Sequence, residues 1–149
     1  GNTIVSPASV SIALAMTHAG AKGQTATELE QALRYSLPPA EVQQAVATML
    51  QAWNAPHEST ELSVANRLFG EATLPFEPTF IELTGRTFGA PLERVDFVNG
   101  AEAARTRIND WVEERTHDRI QELLPGGSVD GSTRLVLTNA LYFKAQWMN

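Results

Sequence analysis

Enzymatic chemistry would need a nucleophile, a base and a group to orient them, and this chain offers few side chains for those roles. Its three histidines are His18 near the end of an apolar helical stretch, His57 in a polar loop and His117 between helical segments. None stands in a recognisable catalytic motif, and no G-x-S-x-G, H-E-x-x-H or dinucleotide fingerprint occurs. Gly20-Ala21-Lys22-Gly23-Gln24-Thr25 superficially looks like a phosphate loop, but it lies between two predicted helices and lacks the Gly-Lys-Thr sequence, so a turn is expected. Glu113 and Glu114 could be read as paired carboxylates. Neighbours on a helix diverge by about 100°, which assigns them to a solvated face. With no cysteine there is no disulfide framework, thiol nucleophile or thiolate metal site, and the redox compartment stays open. The expectation is a protein that is not an enzyme and has no cofactor and no metal.

The elements are more informative than these side chains. Thr133 to Trp147 reads as one strand that at about 3.3 Å per residue could span roughly 50 Å, against a usual strand of about five or six residues. Leu135, Leu137, Leu141 and Phe143 fall on one face, and Val136, Ala140 and Tyr142 on the other. A strand apolar on both faces needs cover on both sides and is expected inside a sheet, with the partner on its open edge beyond residue 149. The sequence therefore reads as part of a larger domain. Asn139 shares a face with Leu137 and Leu141, so its amide must find partners if buried; an orphaned group there costs about 1–3 kcal/mol.

Upstream, Asn2 to Val5 is a short strand-like segment, and Ser6-Pro7 supplies an N-cap followed by proline at the first helical position. The helix from Pro7 to about His18 is apolar nearly all round and predicted to be buried and central. Thr25 and Glu28 form a T-x-x-E capping box for a second helix. After Pro38-Pro39, Val42, Ala45, Val46, Met49, Leu50 and Trp53 mark a one-sided amphipathic helix. Leu62 to Phe69 alternates as a strand, and a helix follows from about Pro78 to Thr87. Leu92, Val95 and Phe97 form a short strand, and Asn99 caps a longer helix with Ala104, Ile108 and Trp111 facing inward. Ile120, Leu123 and Leu124 form an anchoring turn before Pro125-Gly126-Gly127. Helices first, then strands interleaved with helices, define an α+β chain without regular βαβ alternation.

The composition is that of an ordinary globular protein, 43% hydrophobic and 19% charged. Its formal net charge of −6 arises from 17 acidic and 11 basic residues without a block of like charge, which argues against nucleic acid or an anionic membrane as main partner. No transmembrane segment or signal peptide is read in it.

Taken in order, the motifs resemble the serpin family, from strand 6B and helix B to strand 3A. Asn2-Thr3-Ile4-Val5-Ser6-Pro7-Ala8-Ser9-Val10 is similar to that family's N-x-x-x-S-P-x-S-[IV] opening of helix B, and Gly20 to Thr25 to the turn after it. Ala65-Asn66-Arg67-Leu68-Phe69 resembles strand 2A, Ile108-Asn109-Asp110-Trp111-Val112 helix F, and Thr138-Asn139-Ala140-Leu141-Tyr142-Phe143-Lys144-Ala145-Gln146-Trp147 strand 3A. The resemblance implies a partial serpin fold, helices B to F with strands 1A, 2A and 3A. Residues 1–149 would be the N-terminal part of a single serpin domain, truncated at both ends, with the rest of sheets A, B and C and the reactive loop absent.

It further implies inhibition of serine or cysteine proteases by suicide-substrate trapping, in which a cleaved reactive loop inserts into sheet A, with an extracellular or secreted location favoured and a cytoplasmic one open. Ser6, Ser9 and Asn139 correspond to the family's shutter behind sheet A, and Lys144 and Trp147 to the breach at its upper end. The simpler reading makes Ser6 an N-cap, Ser9 its N3 neighbour, Asn139 a satisfied core amide and Trp147 packing; the two readings are compatible. The implied partner is a target serine protease, with no nucleic acid and no membrane, and the fragment is expected to self-associate through its last strand. The third helix, Pro39 to Trp53, has no Lys or Arg, which disfavours a heparin site there. The alternatives are a non-inhibitory serpin-fold protein for binding or chaperone work, and an unrelated α and β binding module.

Overall fold

The computed structural model describes residues 5–147. Its elements run α1 (Pro7–Gly20), α2 (Gly23–Leu33), α3 (Pro39–Trp53), β1 (Thr60–Glu71), α4 (Pro78–Phe88), β2 (Leu92–Val95), α5 (Phe97–Arg115) and β3 (Leu135–Ala145). The three strands form one sheet in the order β2-β1-β3, with β2 parallel and β3 antiparallel to β1. The strand-like segment expected at Asn2 to Val5 lies largely outside the described residues.

Strand alternation on β1 divides the molecule into two layers of core. Val64 and Leu68 join Ile12, Ala15 and Met16 of α1, Leu50 of α3 and Phe88 of α4 on one side. Phe69 points the other way and packs with Phe97, Ala104, Ile108, Trp111 and Val112 of α5. β3 follows the same division: Leu135, Leu137 and Leu141 face the first core and Val136 the second. Two glycines permit the close packing. A Cβ on Gly70 would stand 2.6 Å from the Phe76 ring and 2.8 Å from Leu92, and one on Gly20 2.9 Å from the Phe80 ring.

Several expectations change in detail. β3 covers Leu135–Ala145 rather than Thr133 to Trp147, and among the described residues it stands at the edge of the sheet with its outer side unpaired. Its far end lacks the two-sided cover expected, with Phe143 62% exposed. α1 buries only one side, through Ile12, Ala15, Met16 and His18, while Val10 is half-exposed. The Thr25–Glu28 capping box does not form. α2 starts at Gly23 from an extended Lys22 with no side-chain cap, and Glu28 accepts instead from the Gln24 side-chain amide at 2.7 Å.

Asn99 is likewise not the cap of α5. Asp96 is, accepting from the Asn99 backbone N–H at 2.8 Å, and Phe97 is the first helical residue rather than part of a strand. Of the expected anchoring turn only Leu124 packs against the core, since Ile120 and Leu123 stand exposed.

Candidate functional site

Ser6 caps α1 from an extended backbone: its hydroxyl oxygen accepts from Ser9 N–H at 3.2 Å and from the Ser9 hydroxyl at 2.9 Å. Pro7 at the first helical position loses no bond by lacking an N–H. These two half-buried serines close on each other at the start of the helix whose Ile12, Ala15 and Met16 pack beneath β1 and β3.

A second polar group crosses the sheet. Asn66 on β1 and Asn139 on β3 are direct register partners, and the Asn139 side-chain amide donates to Asn66 Oδ1 at 2.7 Å. Asn66 in turn donates to the Phe88 carbonyl at the end of α4 at 2.9 Å. The relay therefore ties β3, β1 and α4 together inside the first core, where Asn66 is 4% exposed. Asn139 Oδ1 is buried without a hydrogen-bond partner among the described residues. Asn139 is thus a half-satisfied amide rather than a satisfied one. No hydrogen bond among the described residues joins the serine pair to the asparagine relay.

The pair expected at the breach lies apart from both groups. Lys144 is opposite Glu61 near the end of β3, and Trp147 lies beyond the strand at 96% exposure, so the packing role expected for Trp147 does not hold here.

The other face of the sheet carries the charges. Glu93 on β2 accepts from Arg107 of α5 at 2.6 and 3.0 Å and also pairs with Arg67 of β1. Burial is the largest influence on Glu93 and pushes its carboxyl up, but the hydrogen bonds and charges of Arg107 and Arg67 outweigh it and hold the group below its ordinary value. The Arg67 guanidinium also lies over the Trp111 ring, 5.4 Å from its centroid.

Glu71, 1% exposed at the end of β1, accepts from Thr73 N–H and hydroxyl on one oxygen and from Phe97 and Val98 N–H on the other. The Thr73 amide does most to hold this carboxyl below its ordinary value; burial opposes it, and the Thr73 hydroxyl and the two helix amides reinforce it. Asn109, within the block resembling helix F, is buried and clamps the backbone of Leu124 by both its N–H, at 2.9 Å, and its carbonyl, at 3.0 Å.

Sequence reasoning missed Asn66 as the partner of Asn139, although its place between Val64 and Leu68 on an inward face marks a polar group that must be satisfied. It also missed Glu71 and Glu93, whose partners depend on pairing between distant segments. Elsewhere, His18 is buried and pairs with Glu30 at 3.1 Å, and His117 pairs with Glu61 at 3.2 Å and stacks edge-on against Tyr142. Among the described residues no group of three or more His, Asp or Glu side chains comes together to hold a metal ion. The constellation ties packed elements together by neutral hydrogen bonds, and among the described residues none of its hydroxyls is bonded to a histidine or carboxylate.

A family model described as Serpin (serine protease inhibitor) matches residues 1–149. The chain is 44% identical over 146 residues to Serpin B9 of Homo sapiens, covering 98% of this chain and 39% of that protein. It is 43% identical over 151 residues to leukocyte elastase inhibitor of Sus scrofa, covering 99% and 39%. Emu ovalbumin superposes with a TM-score of 0.94 at 32% identity over 99% of this chain and 42% of that one. Arabidopsis AtSerpin1 in its native stressed conformation gives 0.89 at 33% identity over 99% and 38%.

The chain belongs to the serpin family, and the five helices and three-stranded sheet of its described residues are a partial serpin fold. It spans about two fifths of the length of the curated relatives it matches, 39% in each of these two.

Proposed function

We propose that the protein carrying this chain is an inhibitor of serine proteases that traps its target by inserting a cleaved reactive loop into the sheet to which β3 belongs. The observation that carries this reading is the similarity along almost the whole chain to leukocyte elastase inhibitors at 42 to 43% identity. In this reading residues 1–149 are the N-terminal part of one serpin domain. Ser6, Ser9 and Asn139 lie at the shutter, and Lys144 and Trp147 at the breach. The unpartnered Asn139 Oδ1, next to a β3 edge that no described strand covers, suits a seam that closes and opens. The chemistry would belong to the attacked protease, with the inhibitor supplying a metastable fold whose relaxation distorts it. The relatives lend no support to the expected extracellular location, and the proposal is tied to no compartment.

The test is incubation of the full-length protein with elastase-like, chymotrypsin-like, trypsin-like and subtilisin-like enzymes. A complex that survives denaturing electrophoresis is expected with at least one of them. Clean cleavage of the loop with full protease activity retained would instead favour a serpin-fold binding or chaperone protein. That second reading has the likeness to ovalbumin on its side, a protein not named as an inhibitor.

A further inference from the structure

Asparagine side chains tie distant segments together in most of this chain. Asn54 donates to the Val64 carbonyl and accepts from the Val64 N–H, Asn66 donates to the Phe88 carbonyl, Asn109 clamps the Leu124 backbone, and Asn139 donates to Asn66. Asn99 is the exception among the described residues. It is exposed, and its side chain bonds within its own turn, donating through Nδ2 to both oxygens of Asp96 at 3.3 Å.

The residue that follows it is also singular. Gly100 is the only glycine in the sequence preceded by asparagine. Its backbone leaves the helical region inside α5, at φ −138° and ψ 38°, and a Cβ placed on it would meet nothing within 4 Å. A regular helix opposes attack of an amide nitrogen on the side chain before it, because it fixes the backbone dihedrals and engages that amide in the i→i−4 ladder. The break at Gly100 relaxes this restraint, and glycine sets no side chain in the way.

We propose that Asn99–Gly100 is a self-modification site, where the folded chain converts Asn99 to aspartate and isoaspartate without an enzyme. The Gly100 N–H gives its proton to hydroxide or another base in solvent, and the nitrogen attacks Asn99 Cγ. A bond forms between Gly100 N and Cγ, the Cγ–Nδ2 bond breaks, and Nδ2 takes up a proton and leaves as ammonia. Water then opens the resulting succinimide at one of its two carbonyl carbons. Cleavage at Cγ gives aspartate, and cleavage at the backbone carbonyl carbon gives isoaspartate, in which the chain runs through the former side chain. Water enters and ammonia leaves, with no change of oxidation state.

The consequence falls on the start of α5. Asp96 caps the helix through the Asn99 N–H at 2.8 Å and holds the departing amide by its hydrogens. After conversion it faces a second carboxylate in place of a donor, and the like charges repel. Isoaspartate also adds a methylene to the backbone of the capping turn.

The test is incubation of the folded full-length protein in mildly alkaline buffer, followed over time by peptide mapping with mass spectrometry and by enzymatic methyl labelling of isoaspartate. Conversion at Asn99 should run at least about tenfold faster than at Asn54, which is equally exposed but bonded to Val64. It should also stay within about tenfold of the rate for the same protein held in denaturant. Gly100→Ala fills open space and favours the helix, so it should slow Asn99 by at least about tenfold and leave Asn54 unchanged. Conversion of Asn99 no faster than Asn54, a folded rate suppressed beyond that margin, or aspartate accumulating without isoaspartate would overturn the proposal. So would Gly100→Ala reacting at the wild-type rate.

Discussion

Asn66 and Asn139 face each other across β1 and β3, and the bond between them is, among the described residues, the one place where two side-chain amides meet in this core. Truncating Asn139 to Ala orphans Asn66 Oδ1 at a buried position, a loss of about 1–3 kcal/mol. Truncating Asn66 also frees the Phe88 carbonyl. A double-mutant cycle of Asn66→Ala and Asn139→Ala, read by thermal melts of the full-length protein, should therefore be non-additive by about 0.5–3 kcal/mol. Additive losses would mean that the two amides act separately. At the turn after α5, His117 and Asp118 both adopt left-handed backbone, at φ 49° and 61°. Such geometry costs a non-glycine residue about 1 kcal/mol, Asp being among the more tolerant types. Asp118→Gly should raise the melting temperature, and a lower one would show that Asp118 earns its place through its side chain. Asn139 was legible in the sequence because an amide among Leu137 and Leu141 must be satisfied. Its partner was not, because strand register between residues 73 positions apart is a tertiary fact.

Elements were legible wherever periodicity ran long, and their ends were misread where two local signals competed. Val42 to Trp53 gave α3 and the alternation of Leu62 to Phe69 gave β1, because one apolar face repeated over several turns or pairs. The caps failed for a physical reason. Thr25 and Asn99 are both good N-cap types, but Gly23 at φ 58° turns the chain into α2 two residues earlier, and Asp96 reaches the Asn99 amide before Asn99 can act. β1 also ends in a contact that no periodicity announces. Gly70 brings the Phe76 ring and Leu92 against its own backbone, closer than any Cβ would allow. Gly70→Ala must push both aside, at about 1–3 kcal/mol. Denaturant midpoints for Gly70→Ala and for Gly85→Ala, where a Cβ meets nothing within 4 Å, provide the contrast. Equal midpoints would remove the steric argument.

For the whole molecule, the consequential feature is a sheet that ends, among the described residues, on β3. Its outer edge offers a row of backbone donors and acceptors, and Phe143 and Trp147 add exposed apolar surface near one end of that edge. Leu135, Leu137 and Leu141 pack against the first core and Val136 against the second, so the strand is anchored on the inner side of the sheet while its outer edge stays open. Edge strands that avoid association usually carry charge or proline, and from Leu135 to Ala145 the only charged residue is Lys144. The 149-residue chain made alone should therefore associate through β3 at tens of micromolar, as sedimentation velocity would record. Phe143→Lys places a second cation beside Lys144 and should shift the distribution toward monomer without altering helix content. The same isolated chain should form no stable complex with any of the four protease types, since on the proposed reading residues 1–149 are the N-terminal part of one serpin domain and the bait loop lies outside them. A monomer at that concentration with β3 amides protected from exchange would show that the edge is closed in some other way, and a covalent protease complex would refute the assignment of the loop.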